Sequence, residues 1–412
     1  MGKMIGNVLV GQSGGPTSVI NSSLAGVFTG SKKAGAAKVY GMVHGIQGFQ
    51  EGKYVVLDDV LKGEKEIELL KRTPSSFLGA CRYKLPAVEA GSAIYENIFK
   101  LFGELDIRYV FYIGGNDSMD TICKLYDYGK LIGSDIIFTG VPKTIDNDLD
   151  ITDHTPGYGS AAKYVATMTK EIIQDAHAND VRLVTILEVM GRNAGWLTAA
   201  TALAKSPDNE GVDFIYLPEL PFDMGKCLED VRNLMETKRQ VTIAVSEGLW
   251  EDENSHFFDE ISKNAKIDAF GHKELSGVGD CIGKFFKKEL NCKIRSINFS
   301  SIQRCGSHMA SLTDVNEAFM AGEAAANYAA EGLNGHMVIF VRESNDPYKC
   351  VAKEYDVHKI ANVEKKVPRA WINEAGNGVK EEFLSYARPL IQGEILPIME
   401  NGLPVHLTLP ER

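Results

Sequence analysis

The sequence predicts an α/β protein built from two layered domains, each a largely parallel sheet covered by helices, and three observations carry that expectation. The chain has 412 residues, which at ~150 residues per domain allows roughly two to three domains. Short apolar runs alternate with helix-length amphipathic stretches, the pattern of buried parallel strands joined by crossover helices. Several runs end in glycine and polar residues, and ligands of open α/β sheets bind at the carboxyl ends of strands.

Taken in order, the first runs are Val8-Leu9-Val10, Tyr109-Val110-Phe111-Tyr112-Ile113, Ile136-Ile137-Phe138-Thr139-Gly140-Val141 and Leu183 to Val189. A second series begins at Asp213-Phe214-Ile215-Tyr216-Leu217 and continues through Val241-Thr242-Ile243-Ala244-Val245 and Ile294-Arg295-Ser296-Ile297-Asn298. The expected division is an N-terminal domain over 1–150, a second over 151–320, and a C-terminal helical segment and charged tail over 321–412 that packs back on both. The segment from Gly248 to Gly277 is charged and poorly periodic, and reads as a surface excursion or helical insert. No repeat of solenoid period and no low-complexity tract interrupts this order.

Composition bounds the function. Apolar residues make up 44% and charged residues 24%, both ordinary for a globular chain. Against 44 Lys and Arg stand 55 Asp and Glu, a formal net charge of −11, which argues against a nonspecific nucleic-acid or anionic-membrane binder. Seven cysteines, an odd number without a C-x-x-C pair, signal neither a disulfide framework nor a cysteine zinc site. A reducing cytoplasm is the simplest location. No charged residue occurs from Met4 to Ser31, yet the stretch is not read as a signal peptide or membrane span. Gly11-Gln12-Ser13-Gly14-Gly15-Pro16-Thr17-Ser18 and Asn21-Ser22-Ser23 break it with polar groups that are costly in hydrocarbon.

Three strand ends carry chemistry. At Gly11 to Ser18, glycines let backbone N–H groups approach a phosphate ahead of a helix start at Val19-Ile20-Asn21, although neither a Walker A loop nor a dinucleotide fingerprint is matched. A ligand-free tight turn is the alternative. At Gly114-Gly115-Asn116-Asp117-Ser118, Asp117 serves either Mg²⁺ or a cationic partner, or else caps the next helix. At Pro142-Lys143-Thr144-Ile145-Asp146-Asn147-Asp148, a lysine three residues before an aspartate offers an ammonium for phosphate charge and a carboxylate to accept a hydroxyl proton. A solvated turn is the alternative there.

With those segments in view, the chain from Val8 to about Ala325 resembles the phosphofructokinase family, and within it the pyrophosphate-dependent members. The resemblance implies two Rossmann-like three-layer α/β domains of the phosphofructokinase type, with the active site in the cleft between them. It implies phosphoryl transfer from pyrophosphate to the 1-hydroxyl of fructose 6-phosphate, reversibly and with Mg²⁺, in glycolysis or gluconeogenesis. In that light residues 1–150 bind the donor and 151–320 the sugar phosphate. The first aspartate of T-I-D-N-D, Asp146, is the family's proton acceptor. ATP users usually carry glycines where this chain has Asp117 and Lys143. A carboxylate there repels a nucleotide's α-phosphate, and the lysine supplies charge to the leaving phosphate. The segment from Asp153 to Lys163 also looks like the pyrophosphate-dependent subgroup.

The same resemblance assigns the remaining candidates. Gly79-Ala80-Cys81-Arg82 resembles the element that places Arg82 near the donor, together with Gly14 and Lys143. Glu188-Val189-Met190-Gly191-Arg192 matches the family's E-V-M-G-R, whose Met190, Gly191 and Arg192 meet the sugar phosphate, as does Thr144. Ser246-Glu247-Gly248 resembles the segment whose glutamate binds sugar hydroxyls, and Ser301-Ile302-Gln303-Arg304 the element gripping the 6-phosphate. Arg295 stands where the family has an arginine reaching the neighbouring subunit's site, implying a homo-oligomer of at least two chains, with Arg182 a second candidate of that kind.

The departures are equally specific. Asn116 replaces an aspartate that helps hold Mg²⁺, and Ser301 replaces a histidine. Ser22, Leu24 and Ala25 replace the basic effector ligands of regulated bacterial ATP enzymes, so little nucleotide allostery is expected. The tail segments Lys365-Lys366-Val367-Pro368-Arg369 and Tyr386-Ala387-Arg388-Pro389 either close over the sugar or are solvated. Two rivals follow: an ATP-dependent enzyme, and an inactive sugar-phosphate sensor, which retained Asp146 and Lys143 disfavour. An acidic protein with polyanionic substrates needs its cations gathered locally, and Lys143, Arg192, Arg295 and Arg304 are expected to converge on one cleft.

Overall fold

The computed structural model describes residues 2–90, 92–251, 277–359 and 364–409. The expected insert over 248–277 lies almost wholly outside the described residues. Strands are β1 (Asn7–Gln12), β2 (Val39–Met42), β3 (Tyr54–Val56), β4 (Ile107–Gly114), β5 (Ile137–Pro142), β6 (Leu183–Val189), β7 (Phe214–Tyr216), β8 (Gln240–Ser246), β9 (Lys293–Asn298), β10 (His336–Asn345) and β11 (Tyr348–Asp356). They form a seven-stranded sheet in the order β11-β10-β5-β4-β1-β2-β3 and a four-stranded sheet in the order β7-β8-β6-β9.

The apolar runs become the sheet interiors. Val8, Leu9 and Val10 are fully buried in β1, and every residue of β6 is buried, as expected of strands covered on both faces. Pairing is parallel from β2 through β1, β4 and β5 to β10, with antiparallel β3 and β11 at the two edges. All pairs of the second sheet are parallel.

This order places the site. In the first sheet the chain runs from β1 outward to β2 and β3, then returns to the other side of β1 for β4 and β5. The reversal between β1 and β4 opens a crevice at their carboxyl ends, where the loops after β1, β4 and β5 emerge. In the second sheet β8 and β9 flank β6, so the loops after those three strands emerge side by side.

Two features depart from the sequence reading. Residues beyond 321 are not a helical segment with a tail. A helix over Leu312–Ala330 leads into the β10–β11 hairpin, which completes the first sheet beside β5. Further on, Phe383 and Tyr386 of the helix Glu381–Ala387 are buried with Trp196 and Trp371 in the core of the second domain.

The Leu312–Ala330 helix also explains Ser22, Leu24 and Ala25. It packs on the helix Ile20–Lys33, where a Cβ at Gly26 would sit 2.1 Å from Phe319 O and one at Gly322 the same distance from Ser23 O. Glycine on both helices permits this approach. Ser22 donates to Val315 O at 2.7 Å, and all three residues are buried in the contact. Among the described residues no helix is long and apolar enough to cross a membrane.

Candidate active site

The loops from the two sheets enclose a cleft of about 550 Å³. Its walls include Gly14, Arg82, Asn116, Asp117, Lys143, Thr144, Asp146, Met190, Arg192, Glu247 and Arg304. Residues separated by up to 290 positions thus meet, nearly all of them from loops at the carboxyl ends of six strands.

On the donor side, the β1 loop turns into its helix with Thr17 Oγ1 accepting from the Ile20 amide at 2.9 Å. Gly14 sits at φ +74°, a conformation glycine takes without strain, and its amide donates to Cys81 O at 3.3 Å. The two glycines also leave space for cations: a Cβ on Gly14 would lie 3.5 Å from Lys143 Nζ, and one on Gly15 3.2 Å from an Arg304 nitrogen. Lys143 is buried, and its ammonium donates to Gly15 O at 2.7 Å. Burial pulls its pKa down to about 8; Asp146 opposes the fall and Arg304 adds to it.

The β5 loop carries the carboxylates. Thr144 Oγ1 accepts from the Asp146 amide at 3.1 Å and contacts the Asp146 carboxylate at 3.4 Å. Burial lifts the Asp146 carboxyl above its ordinary range, against the pull of Lys143 and Arg192. Asp148 is pushed up to about 7, first by burial and then by the Asp146 charge. Across the cleft Glu247 reaches about 7, again chiefly by burial, although the Gly191 amide donates to it at 3.4 Å.

On the β6 side, Gly191 holds φ +144°, and a Cβ there would meet Ala194 O at 2.7 Å. Its carbonyl accepts from Ser246 Oγ and its amide faces Glu247, so this glycine shapes the loop behind the wall. Arg192 lines the cleft, and its buried Nε has no hydrogen-bond partner among the described residues. That is a donor left for a ligand oxygen.

Asn116 and Asp117 open the helix Asn116–Leu131, and no side chain caps its start, so the capping alternative for Asp117 is not what the structure shows. Asp117 instead lies 3.7 Å from Lys84 Nζ, with both at the cleft wall. Asn116 Oδ1 is buried and accepts no hydrogen bond among the described residues. A carboxylate beside an orphaned amide oxygen suits a hard divalent cation that also takes phosphate oxygens.

Four expected residues lie elsewhere. Gln303 is wholly buried, accepting from the Met190 amide at 3.3 Å and donating to Ser300 O at 2.8 Å; it ties two loops together, which corrects its expected sugar-phosphate contact. Ser301 begins the short helix Ile302–Cys305 and is exposed outside the cleft. Arg295, midway along β9, pairs with Asp175 at 2.6 Å and does not join Lys143, Arg192 and Arg304 in this chain's own cleft. Arg182 precedes β6 at the end away from the cleft, reaching Met235 O.

Lys84, Asp148, Asn193 and Glu364 line the cleft without having been singled out. Lys84 and Asp148 each stand two residues from a chosen one, Arg82 and Asp146 respectively. Glu364 comes from the tail and accepts from Asn193 at 2.8 Å. Otherwise the tail is anchored: Lys365 Nζ donates to Thr152 O and Asp153 O, Arg369 donates to Ile372 O and Asn373 O, and Arg388 pairs with Glu381.

The family model described as Phosphofructokinase matches residues 7–329. The chain is 38% identical over 402 residues to the pyrophosphate–fructose 6-phosphate 1-phosphotransferase of Halomonas elongata, spanning 97% of this chain and 94% of that one. It is 38% identical over 407 residues to the protein of the same name from Xanthomonas campestris pv. campestris, spanning 98% and 96%. The crystal structure of a pyrophosphate-dependent phosphofructokinase from Marinobacter aquaeolei superposes with a TM-score of 0.86 at 35% identity, covering 99% of this chain and 98% of that one.

Proposed function

The chain belongs to the phosphofructokinase family, and we propose that it transfers a phosphoryl group from pyrophosphate to the 1-hydroxyl of fructose 6-phosphate, giving fructose 1,6-bisphosphate and phosphate. Relatives of that name, matched over nearly the full length, favour pyrophosphate over ATP as donor. The observation that carries the residue-level reading is the buried Lys143 ammonium on the Gly15 carbonyl, sharing one cleft with Asp146 and Asp117.

In this reading Asp146 accepts the proton of the 1-hydroxyl. A carboxylate raised by burial is a better base once ionised, and neighbouring Lys143 and Arg192 keep the ionised form accessible. Lys143 steadies charge on the transferred and leaving phosphates, with the glycine turn and Arg82 beside it. Arg192 and Arg304 hold the sugar's phosphate as guanidinium forks, and Glu247 accepts from sugar hydroxyls. Asp117 and Asn116 would hold a divalent ion, Mg²⁺ in our reading, which when bound neutralises donor phosphate charge.

Because one phosphoric anhydride is exchanged for a phosphate ester, the reaction is read as reversible, a step of glycolysis that also serves gluconeogenesis. Arg295 pairs with Asp175 and does not line its own cleft, which supports a homo-oligomer of at least two chains in which it serves a neighbour. Seven unpaired thiols fit a reducing cytoplasm.

The test is formation of fructose 1,6-bisphosphate with Mg²⁺ and either pyrophosphate or ATP. Turnover is expected with pyrophosphate. Turnover with ATP alone would overturn the donor assignment, and turnover with neither would favour a sugar-phosphate sensor.

A further inference from the structure

The family match ends at residue 329, yet the segment after 364 grips the loop that carries Asp146. Among the described residues Asp146 itself is held by Thr144 alone, at 3.1 and 3.4 Å. The residue after it is fixed far more firmly. Asn147 is wholly buried at φ +54°, a left-handed conformation that asparagine tolerates better than most residues. Its Nδ2 donates to Tyr386 Oη at 2.8 Å, while its Oδ1 accepts from the Thr155 amide at 3.1 Å.

Tyr386 is immobilised in turn. Its hydroxyl donates to Asp153 O at 2.8 Å, and its ring lies beneath the Arg342 guanidinium at 4.7 Å and against Trp196 and Trp371, each at 5.3 Å. A second attachment lies one residue further along the loop, where the Lys365 amide donates to Asp148 O at 2.7 Å. The tail thus fastens both residues that follow Asp146, and at Asn147 it does so through a side chain whose amide nitrogen has no other acceptor among the described residues.

We infer that Tyr386 is a positioning residue for the phosphoryl-transfer step, holding Asp146 on its hydroxyl through Asn147. The inference rests on reading Asp146 as the base. Phosphoryl transfer depends on alignment, so a loop released by a fraction of an ångström loses rate and not substrate affinity.

The test uses the full-length enzyme with fructose 6-phosphate, pyrophosphate and Mg²⁺, comparing Tyr386→Phe, Asn147→Gly and the double variant in single-turnover and steady-state assays. Glycine keeps the positive φ while deleting the amide, so Asn147→Gly reads the same bond from the other side should Tyr386→Phe fold poorly. The expected result is a single-turnover rate lowered ~10-fold to ~100-fold, with KM for both substrates changed less than about twofold. The double variant should be no slower than Asn147→Gly alone, because both changes remove one bond. A wild-type rate in folded Tyr386→Phe, additive losses, or a raised KM for fructose 6-phosphate with unchanged rate would overturn the inference; the last would make Tyr386 a sugar contact. Asp146→Asn is measured in parallel. If it retains turnover the base assignment fails, whereas an inactive Asp146→Asn with an unimpaired Tyr386→Phe removes the positioning role alone.

Discussion

Lys143 should lower the stability of the protein it serves, and Lys143→Met tests this. Burial draws its pKa from 10.5 to about 8. At ~1.4 kcal/mol per unit, that is a ceiling of about 3.5 kcal/mol by which folding is opposed while the lysine is charged in both states. Methionine keeps much of the unbranched stem and its volume but loses the bond to Gly15 O, worth ~1.5 kcal/mol as a charged hydrogen bond. A net gain of about 1–2 kcal/mol is expected at pH 7, read as a shift of the urea midpoint. The sign with pH follows from the depressed folded pKa. The penalty is complete below about 8 and shrinks as pH rises toward 10.5, because the folded protein sheds the proton first. The advantage of Lys143→Met should therefore be larger at pH 7 than at pH 9.5, while pyrophosphate turnover at pH 7 falls by orders of magnitude. A variant no more stable than the parent at pH 7, or one whose advantage grows toward pH 9.5, would refute the claim that the cleft holds an ammonium against its desolvation cost.

Two further outcomes can be checked. If Arg295 serves a neighbour's site, Arg295→Ala and Asp146→Asn chains should complement: co-assembled as random dimers, two nearly inactive parents should recover roughly a quarter of the wild-type rate, because one site per hybrid keeps both residues. Absence of recovery in hybrids that chromatography shows to have formed assigns Arg295 to its own chain. Separately, buried His154 sits between Asp153 at 2.8 Å and Glu317 at 2.7 Å. Burial alone would lower its pKa, but the Glu317 charge and the Asp153 and Glu317 bonds outweigh that and raise it to about 9. The stabilisation is present in full below about 6.5 and is lost as pH rises through about 9. His154→Gln should therefore lose more stability at pH 6 than at pH 9, and a loss that increases with pH would contradict the ion-bridged arrangement.

Strands β1, β4, β6 and β8 were legible because a strand buried on both faces must be apolar along its whole length, which is a local property. The polar loops after them were legible for the converse reason, since a loop at a carboxyl end carries groups the core would reject. The β10–β11 hairpin was not. Nothing in Met337-Val338-Ile339-Phe340 states that its partner is Thr139-Gly140, almost two hundred residues earlier, because the pairing is a tertiary contact that no local pattern records. Motif resemblance has a comparable limit at Gln303 and Arg304. Neighbours on one helical turn differ by about 100° in direction, so one motif sends Arg304 to the cleft and Gln303 to the core. The grip of Tyr386 on Asn147 was out of reach for the same reason as the hairpin: 239 residues separate the two ends of one hydrogen bond.

The cleft does not solve the problem of a net-acidic protein with anionic substrates by excluding its own acids. Arg82, Lys84, Lys143, Arg192 and Arg304 line it, but so do Asp117, Asp146, Asp148, Glu247 and Glu364, five against five in formal charge. What tips the balance is burial. Asp148 and Glu247 are pushed to about 7 and Asp146 is raised, so near neutrality part of the negative charge is masked by protons. Burial loosens the Lys143 proton, but at about 8 the lysine stays mostly charged at pH 7. A bound polyanion would strengthen both tendencies, holding protons on the carboxyls and on Lys143. Under the proposed mechanism Asp146 is the exception, because there it must be ionised to accept a proton. Its place beside Lys143 and Arg192 is therefore as functional as its burial, since those cations favour ionisation at the one carboxyl where protonation would stop the reaction.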